Sequence, residues 1–121
     1  MVTKEGVVLA KRSIEPCIGM WHIPGGTVYF GETPEMAVER VAMDELGVKV
    51  SINKLLGVIT YPKMHADGYF GWPLGVAYEV TITDGTIRGS YQGEEVALFT
   101  STPEMIIAEQ ADFLTSLGYL A

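Results

Sequence analysis

The chain has 121 residues, 48% hydrophobic and 19% charged, a balance that suits one globular domain with a single core and excludes a disordered chain. Its formal net charge of −7 opposes electrostatic binding of a DNA or RNA polymer, although a small phosphorylated ligand stays open because a divalent cation inverts the local sign. No apolar run approaches the roughly 20 residues of a membrane span. Met1 to Gly6 lack the apolar stretch of a secretory signal, and the lone Cys17 has no internal disulfide partner. A cytoplasmic protein is expected, with no membrane partner.

In chain order, Lys4-Glu5-Gly6 reads as a turn and Val7 to Lys11 as a strand. Ser13 to Gly19, with Pro16 and Gly19, is a loop. Met20 to Ile23 is a short strand broken by Pro24-Gly25-Gly26. Thr33 is a good N-cap, with Pro34 at the first helical position and Glu35 in the first turn, so a helix runs to about Leu46 and stops at Gly47. Val48, Val50 and Ile52 alternate with polar residues, and Leu55 to Tyr61 continues extended. Pro62 to Pro73 is a loop that carries Tyr69, Phe70 and Trp72. Leu74 to Ile82 is a strand, Asp84-Gly85 a turn, Thr86 to Arg88 the start of another strand, and Val96 to Phe99 the last one. Thr102-Pro103-Glu104-Met105 repeats the capping chemistry of Thr33-Pro34-Glu35-Met36. It predicts a closing helix from Pro103 to about Leu117 with Ile106, Phe113, Leu114 and Leu117 as its apolar stripe. Strands, helix, strands, helix in that order give an α+β or mixed α/β fold, one domain over residues 1–121 with helices on the sheet faces.

The first helix carries the chemistry. Val41, Asp44 and Glu45 share a face, and Arg40 stands four residues before Asp44. Two adjacent carboxylates beside an arginine, after a glycine turn, suit a hard cation bound through oxygen, although an acidic helix face is also commonly just solvated. The wider spacing is more specific. Gly26, five residues, Glu32, seven residues, Arg40, then Val41-Ala42-Met43-Asp44-Glu45-Leu46-Gly47-Val48 resembles the box of the Nudix hydrolases. Asp44 is there a conservative replacement and Val41 stands where the family has a glutamate. The Trp21-His22-Ile23-Pro24-Gly25-Gly26 entry is similar too. A valine after the arginine, together with Lys11-Arg12, Pro16, Gly19 and Trp21, resembles the variant box of GDP-mannose mannosyl hydrolases, which cleave at the sugar carbon. Two departures set the chain apart from that subgroup: Glu15 replaces an arginine that grips the diphosphate, and Gly89 to Glu95 lacks the subgroup's catalytic histidine.

The resemblance implies a Nudix fold, a mixed sheet between helices, and a magnesium (or manganese) ion. The Gly26 carbonyl, Asp44, Glu45 and Glu32 are the metal candidates, with Glu32 and Arg40 also orienting the helix face. Glu94 or Glu95 would act as the base in place of the missing histidine. On the substrate side Arg12 is a phosphate candidate, and Tyr61, His65 and Trp72 are candidates for the nucleotide; His22 reads as a pocket wall. The expected activity is hydrolysis of a nucleoside diphosphate linked to another group, a nucleotide sugar above all. The alternatives are pyrophosphohydrolysis of a nucleoside triphosphate or dinucleotide by attack at phosphorus, and nucleotide binding without turnover. Nudix domains place a strand ahead of Val7 to Lys11, for which only Met1 to Gly6 remain. Either that strand is very short or the start lies upstream, and an open sheet edge would favour a homodimer.

Overall fold

The structure, a computed structural model, describes residues 1–15, 17–62, 74–91 and 93–121. Among these residues six strands, β1 (Val2–Thr3), β2 (Gly6–Lys11), β3 (Trp21–His22), β4 (Lys49–Thr60), β5 (Leu74–Asp84) and β6 (Glu95–Phe99), form one sheet. Two helices, α1 (Pro34–Leu46) and α2 (Ala108–Ser116), cover it. β2 is the hub: β6 runs antiparallel along one edge, while β1 and β3 share the other. β1 pairs parallel with β5 at Val2 and Glu79, and β5 pairs antiparallel with β4. The sheet is therefore mixed, as expected of a Nudix fold.

Alternation along β2 and β6 divides the interior in two. Val8 and Val96 pack with Ala42, Leu46 and Val48 beneath α1, whereas Val7, Leu9 and Phe99 pack with Leu114 beneath α2. The strict two-residue period of the pleat sends successive side chains to opposite layers. Leu9, Leu46 and Leu114 are sealed from solvent, one from the sheet and one from each helix.

The strand ahead of β2 exists and has two residues, Val2 and Thr3. β4 is a single strand of 12 residues, with irregular register at Asn53 and Leu56 where the two separately expected segments meet. Two expected elements are corrected. Thr86 to Arg88 form no strand, because the Arg88 N–H bonds to the Leu46 carbonyl (2.9 Å) and turns the chain onto the end of α1. The closing helix begins at Ala108 rather than Pro103 and ends at Ser116. Here Met105 and Ile107 bond on either side of Trp21, and Ile106 bridges parallel to it, so sheet pairing takes the segment that the Thr102-Pro103 signal would have started as helix. Most of the loop expected from Pro62 to Pro73 lies outside the described residues.

Candidate active site

The helix that carries the box is closed at both ends by its own sequence. The Thr33 side chain accepts the Met36 N–H (3.2 Å), Pro34 occupies the first turn, and Gly47 ends the helix at φ +71°. The Gly47 and Val48 N–H groups return to the Met43 and Ala42 carbonyls, which fixes the C-terminal turn that bears Asp44 and Glu45. The Arg88 side chain packs so closely on Gly47 that a Cβ there would stand 2.7 Å from its Nε.

Arg40 holds the preceding loop. Its Nε and Nη2 donate to the two carboxylate oxygens of Glu32 (2.8 and 3.1 Å), and Nη2 also donates to the Thr27 carbonyl (2.7 Å). The guanidinium lies 3.8 Å over the Tyr29 ring, and the Tyr29 N–H bonds to Glu32 Oε1 (2.8 Å). A bidentate, stacked arginine is a rigid tie. These hydrogen bonds, the Arg40 one first, hold the Glu32 carboxyl below the usual range and push Arg40 up. Both Glu32 oxygens are thus engaged within the protein.

Beyond Arg40 the carboxylates have more freedom. Asp44 keeps 63% of its side chain exposed and reaches Arg40 Nη1 only at 3.9 Å. Glu45 is half-buried and has one oxygen, Oε2, 2.5 Å from the Ser90 hydroxyl. The glycine turn closes directly onto the same helix face: a Cβ on Gly26 would stand 2.9 Å from Val41 Cγ2, so only glycine brings this backbone so near. Two acidic groups and a backbone carbonyl one turn away fit a magnesium ion of the kind that takes one or two carboxylates and fills its shell with water and phosphate. Among the described residues no three His, Cys, Asp or Glu side chains converge, so an ion here would have to complete its shell with backbone carbonyls, water and phosphate oxygens.

The two loop carboxylates differ in setting. Ser90 and Gly93 exchange backbone hydrogen bonds and so close the loop before β6. Glu95 opens β6 opposite Lys11, on the layer of Leu9 and Phe99. Glu94 is exposed and stands just before the strand, where the printed β2–β6 pairing has ended. Arg12 donates to the Glu15 carbonyl (3.3 Å). Sequence spacing gave no signal for Ser90, which lies 45 positions from the carboxylate it touches.

A cavity of about 520 Å3 lies between the inner face of α1 and strands β4 and β5, and Gly26, Val28, Val41 and Tyr61 are among its walls. The Tyr61 hydroxyl accepts from Gln110 Nε2 (2.9 Å), and Gln110 Oε1 in turn accepts the Ile23 N–H (2.7 Å). Gln110 was not anticipated; a buried glutamine in a short amphipathic helix carries no distinguishing pattern. Glu109 next to it has a buried oxygen, Oε2, with no hydrogen-bond partner among the described residues. His22 donates from Nδ1 to the Ala10 carbonyl (2.8 Å), and burial lowers its pKa to about 4, so the ring is neutral at pH 7. His65 and Trp72 lie outside the described residues.

A loop and helix spaced in this way, set against a mixed sheet, define the Nudix fold. Residues 1–110 match the family described as NUDIX domain, and the chain belongs to that family, the family of the Nudix hydrolases. It is 38% identical over 97 residues to the low-salt glycan biosynthesis protein Agl8 of Haloferax volcanii, covering 78% of this chain and 62% of that protein. It is 29% identical over 93 residues to an ADP-ribose pyrophosphatase of Methanocaldococcus jannaschii, covering 77% of this chain and 53% of that protein. The chain therefore spans less than two thirds of the length of either relative. Among solved structures it is similar to a MutT NUDIX hydrolase from Burkholderia pseudomallei (TM-score 0.79, 24% identity, 95% of this chain and 90% of that one). A MutT protein from Methanosarcina mazei Go1 is also similar (TM-score 0.77, 18% identity, 95% and 85%). At these identities the structural likeness speaks for the fold. No helix among the described residues is long and apolar enough to cross a membrane.

Proposed function

We propose that this chain is a magnesium-dependent hydrolase of nucleoside diphosphates linked to a second group, acting in the cytoplasm, with a nucleotide sugar as its favoured substrate. The observation that carries the reading is the end of α1: Arg40 consumes Glu32, while Asp44 and Glu45 stand beyond it next to a glycine turn packed on Val41. Asp44, one oxygen of Glu45 and the Gly26 carbonyl would hold the ion, which when bound supplies positive charge to a departing phosphate. Arg40 keeps the Thr27 to Glu32 loop at its station. Ser90 holds one Glu45 oxygen by a hydrogen bond, and the other would serve the ion. Glu94, at the end of the loop before β6, takes the proton from the attacking water, and Arg12, just past the end of β2, is the candidate for a phosphate contact.

The preference for a nucleotide sugar rests on Val41, whose apolar side chain removes one carboxylate from the helix face, and on similarity to a relative named for glycan biosynthesis. The relative named ADP-ribose pyrophosphatase favours the second reading, attack at phosphorus. A magnesium-dependent assay over a panel of nucleotide sugars, triphosphates and dinucleotides separates them. Free sugar with intact nucleoside diphosphate supports the first reading, and nucleoside monophosphate with sugar phosphate supports the second. No turnover anywhere leaves only a nucleotide-binding domain. Glu45→Gln should cut turnover by at least about 100-fold, since even an outer partner of a metal ligand costs 10–100-fold, while the melting temperature holds. Full activity in that variant overturns the metal assignment.

A further inference from the structure

We infer that the cavity between α1 and the β4–β5 pair is a nucleobase site in which the Tyr61 hydroxyl selects a ring with a carbonyl oxygen where an amino base carries its exocyclic amine, a keto base over an amino base. The inference rests on the reading of the substrate as a nucleoside derivative and adds which bases enter.

The cavity, about 520 Å3, falls in the size class of small-molecule sites. Its walls are largely aliphatic, with Ile23, Val41, Ile59 and Val80 among them. A sugar there would bury hydroxyl groups against hydrocarbon without partners, whereas a flat heterocycle loses little on its faces and needs partners only at its edge. Gly26 and Val41 wall the same cavity, so a ring inside it and a diphosphate at the neighbouring carboxylates can belong to one ligand.

The polar wall has a fixed sense. The Ile23 N–H can only donate, so the Gln110 atom it meets is the carbonyl oxygen. The Gln110 amide nitrogen therefore faces Tyr61 and donates to its hydroxyl oxygen. The Tyr61 O–H proton is left to donate, and no hydrogen bond joins it to an acceptor among the described residues. Both residues are more than nine-tenths buried, and burial raises the Tyr61 pKa, so the hydroxyl keeps its proton at neutral pH. Gly75, another wall residue, leaves the space over that hydroxyl open: a Cβ there would stand 3.6 Å from it. A buried donor aimed at a cavity rewards a carbonyl oxygen and disfavours an amino group, itself a donor.

The test uses nucleosides without phosphate or metal, inosine against adenosine and uridine against cytidine, titrated into the full chain with saturation-transfer NMR as readout. The parent should bind the keto member of each pair about two- to tenfold more tightly, the range of one neutral hydrogen bond. Tyr61→Phe should bring each pair to parity with an unchanged circular dichroism spectrum. Gly75→Ala, whose methyl makes an ordinary contact with the hydroxyl, should weaken the keto nucleosides selectively. Equal or amino-preferring binding in the parent, a preference retained in Tyr61→Phe, or no saturable nucleoside binding would each overturn the inference. Because neither metal nor phosphate takes part, a keto preference without hydrolysis refutes only the enzyme reading, and hydrolysis without a keto preference refutes only the base site.

Discussion

At the scale of single residues, the choice between Glu94 and Glu95 turns on the pleat. Both are acidic, adjacent and exposed, and nothing in their spacing separates them. The β2–β6 register places Glu95 opposite Lys11, on the layer of Leu9 and Phe99 that packs under α2, whereas Glu94 stands just before the strand and is not held to that layer. Glu94→Gln should therefore lower kcat by about 10²–10⁴, the usual contribution of a general base, while Glu95→Gln should leave kcat near the parent value. Initial rates of both variants at saturating substrate decide it, and equal losses would send the base elsewhere. Ser90 and Gln110 show the opposite limit of sequence reading. Each becomes meaningful only through a partner 45 or more positions away, Glu45 in one case and Tyr61 and Ile23 in the other.

At the scale of elements, α1 was fully legible because every determinant of it is local: Thr33 caps it, Pro34 starts it and Gly47 stops it, all within reach of the backbone groups they satisfy. The same four-residue signal at Thr102 gave a different outcome, since Trp21 offers its backbone to Met105 and Ile107 and a bridge to the sheet displaces the first turns of the helix. Capping chemistry proposes a start, and a competing partner that is distant in sequence can refuse it. The loop ahead of α1 depends on Arg40 in a way its charge alone does not convey. Lysine at that position would keep the charge and lose both the two-point grip on Glu32 and the stacking on Tyr29. Arg40→Lys should raise the hydrogen-exchange rate of the Tyr29 amide, which donates to Glu32 Oε1, and lower kcat/KM about 10–100-fold, as for outer-shell partners of a metal site. Unchanged exchange at Tyr29 would show that the loop stands without this tie.

At the scale of the whole molecule, His22 links the sheet to pH. Its folded pKa of about 4 lies below the ordinary 6.5, first because burial disfavours the cation, with Arg12 and the terminal amine adding repulsion against a favourable bond to the Ala10 carbonyl. The unfolded chain thus takes up the proton more readily than the native one. The contribution of the neutral ring is present in full above about pH 6.5 and is lost as pH falls toward 4, by about 3 kcal/mol in all. Denaturant unfolding from pH 7 to 4 should show this decline, and His22→Gln should flatten it. The buried terminal amine, lowered to about 4, gives the same sign of dependence, so the difference between the two proteins is the readout. Parallel curves would show that His22 titrates normally.

The amino-acid sequence by itself determined the position of α1, the spacing of the candidate metal ligands and the alternation of Val48, Val50 and Ile52 that carries the chain into β4, because each depends on neighbours within a few positions. Tertiary structure alone decided which layer Glu95 faces, that Arg40 and Tyr29 occupy Glu32, that Ser90 steadies Glu45, and that Gln110 donates to the Tyr61 hydroxyl and leaves its proton free to donate. Those outcomes depend on which backbone and side-chain groups meet across the sheet, where hydrogen-bonding needs are settled among residues far apart in the chain.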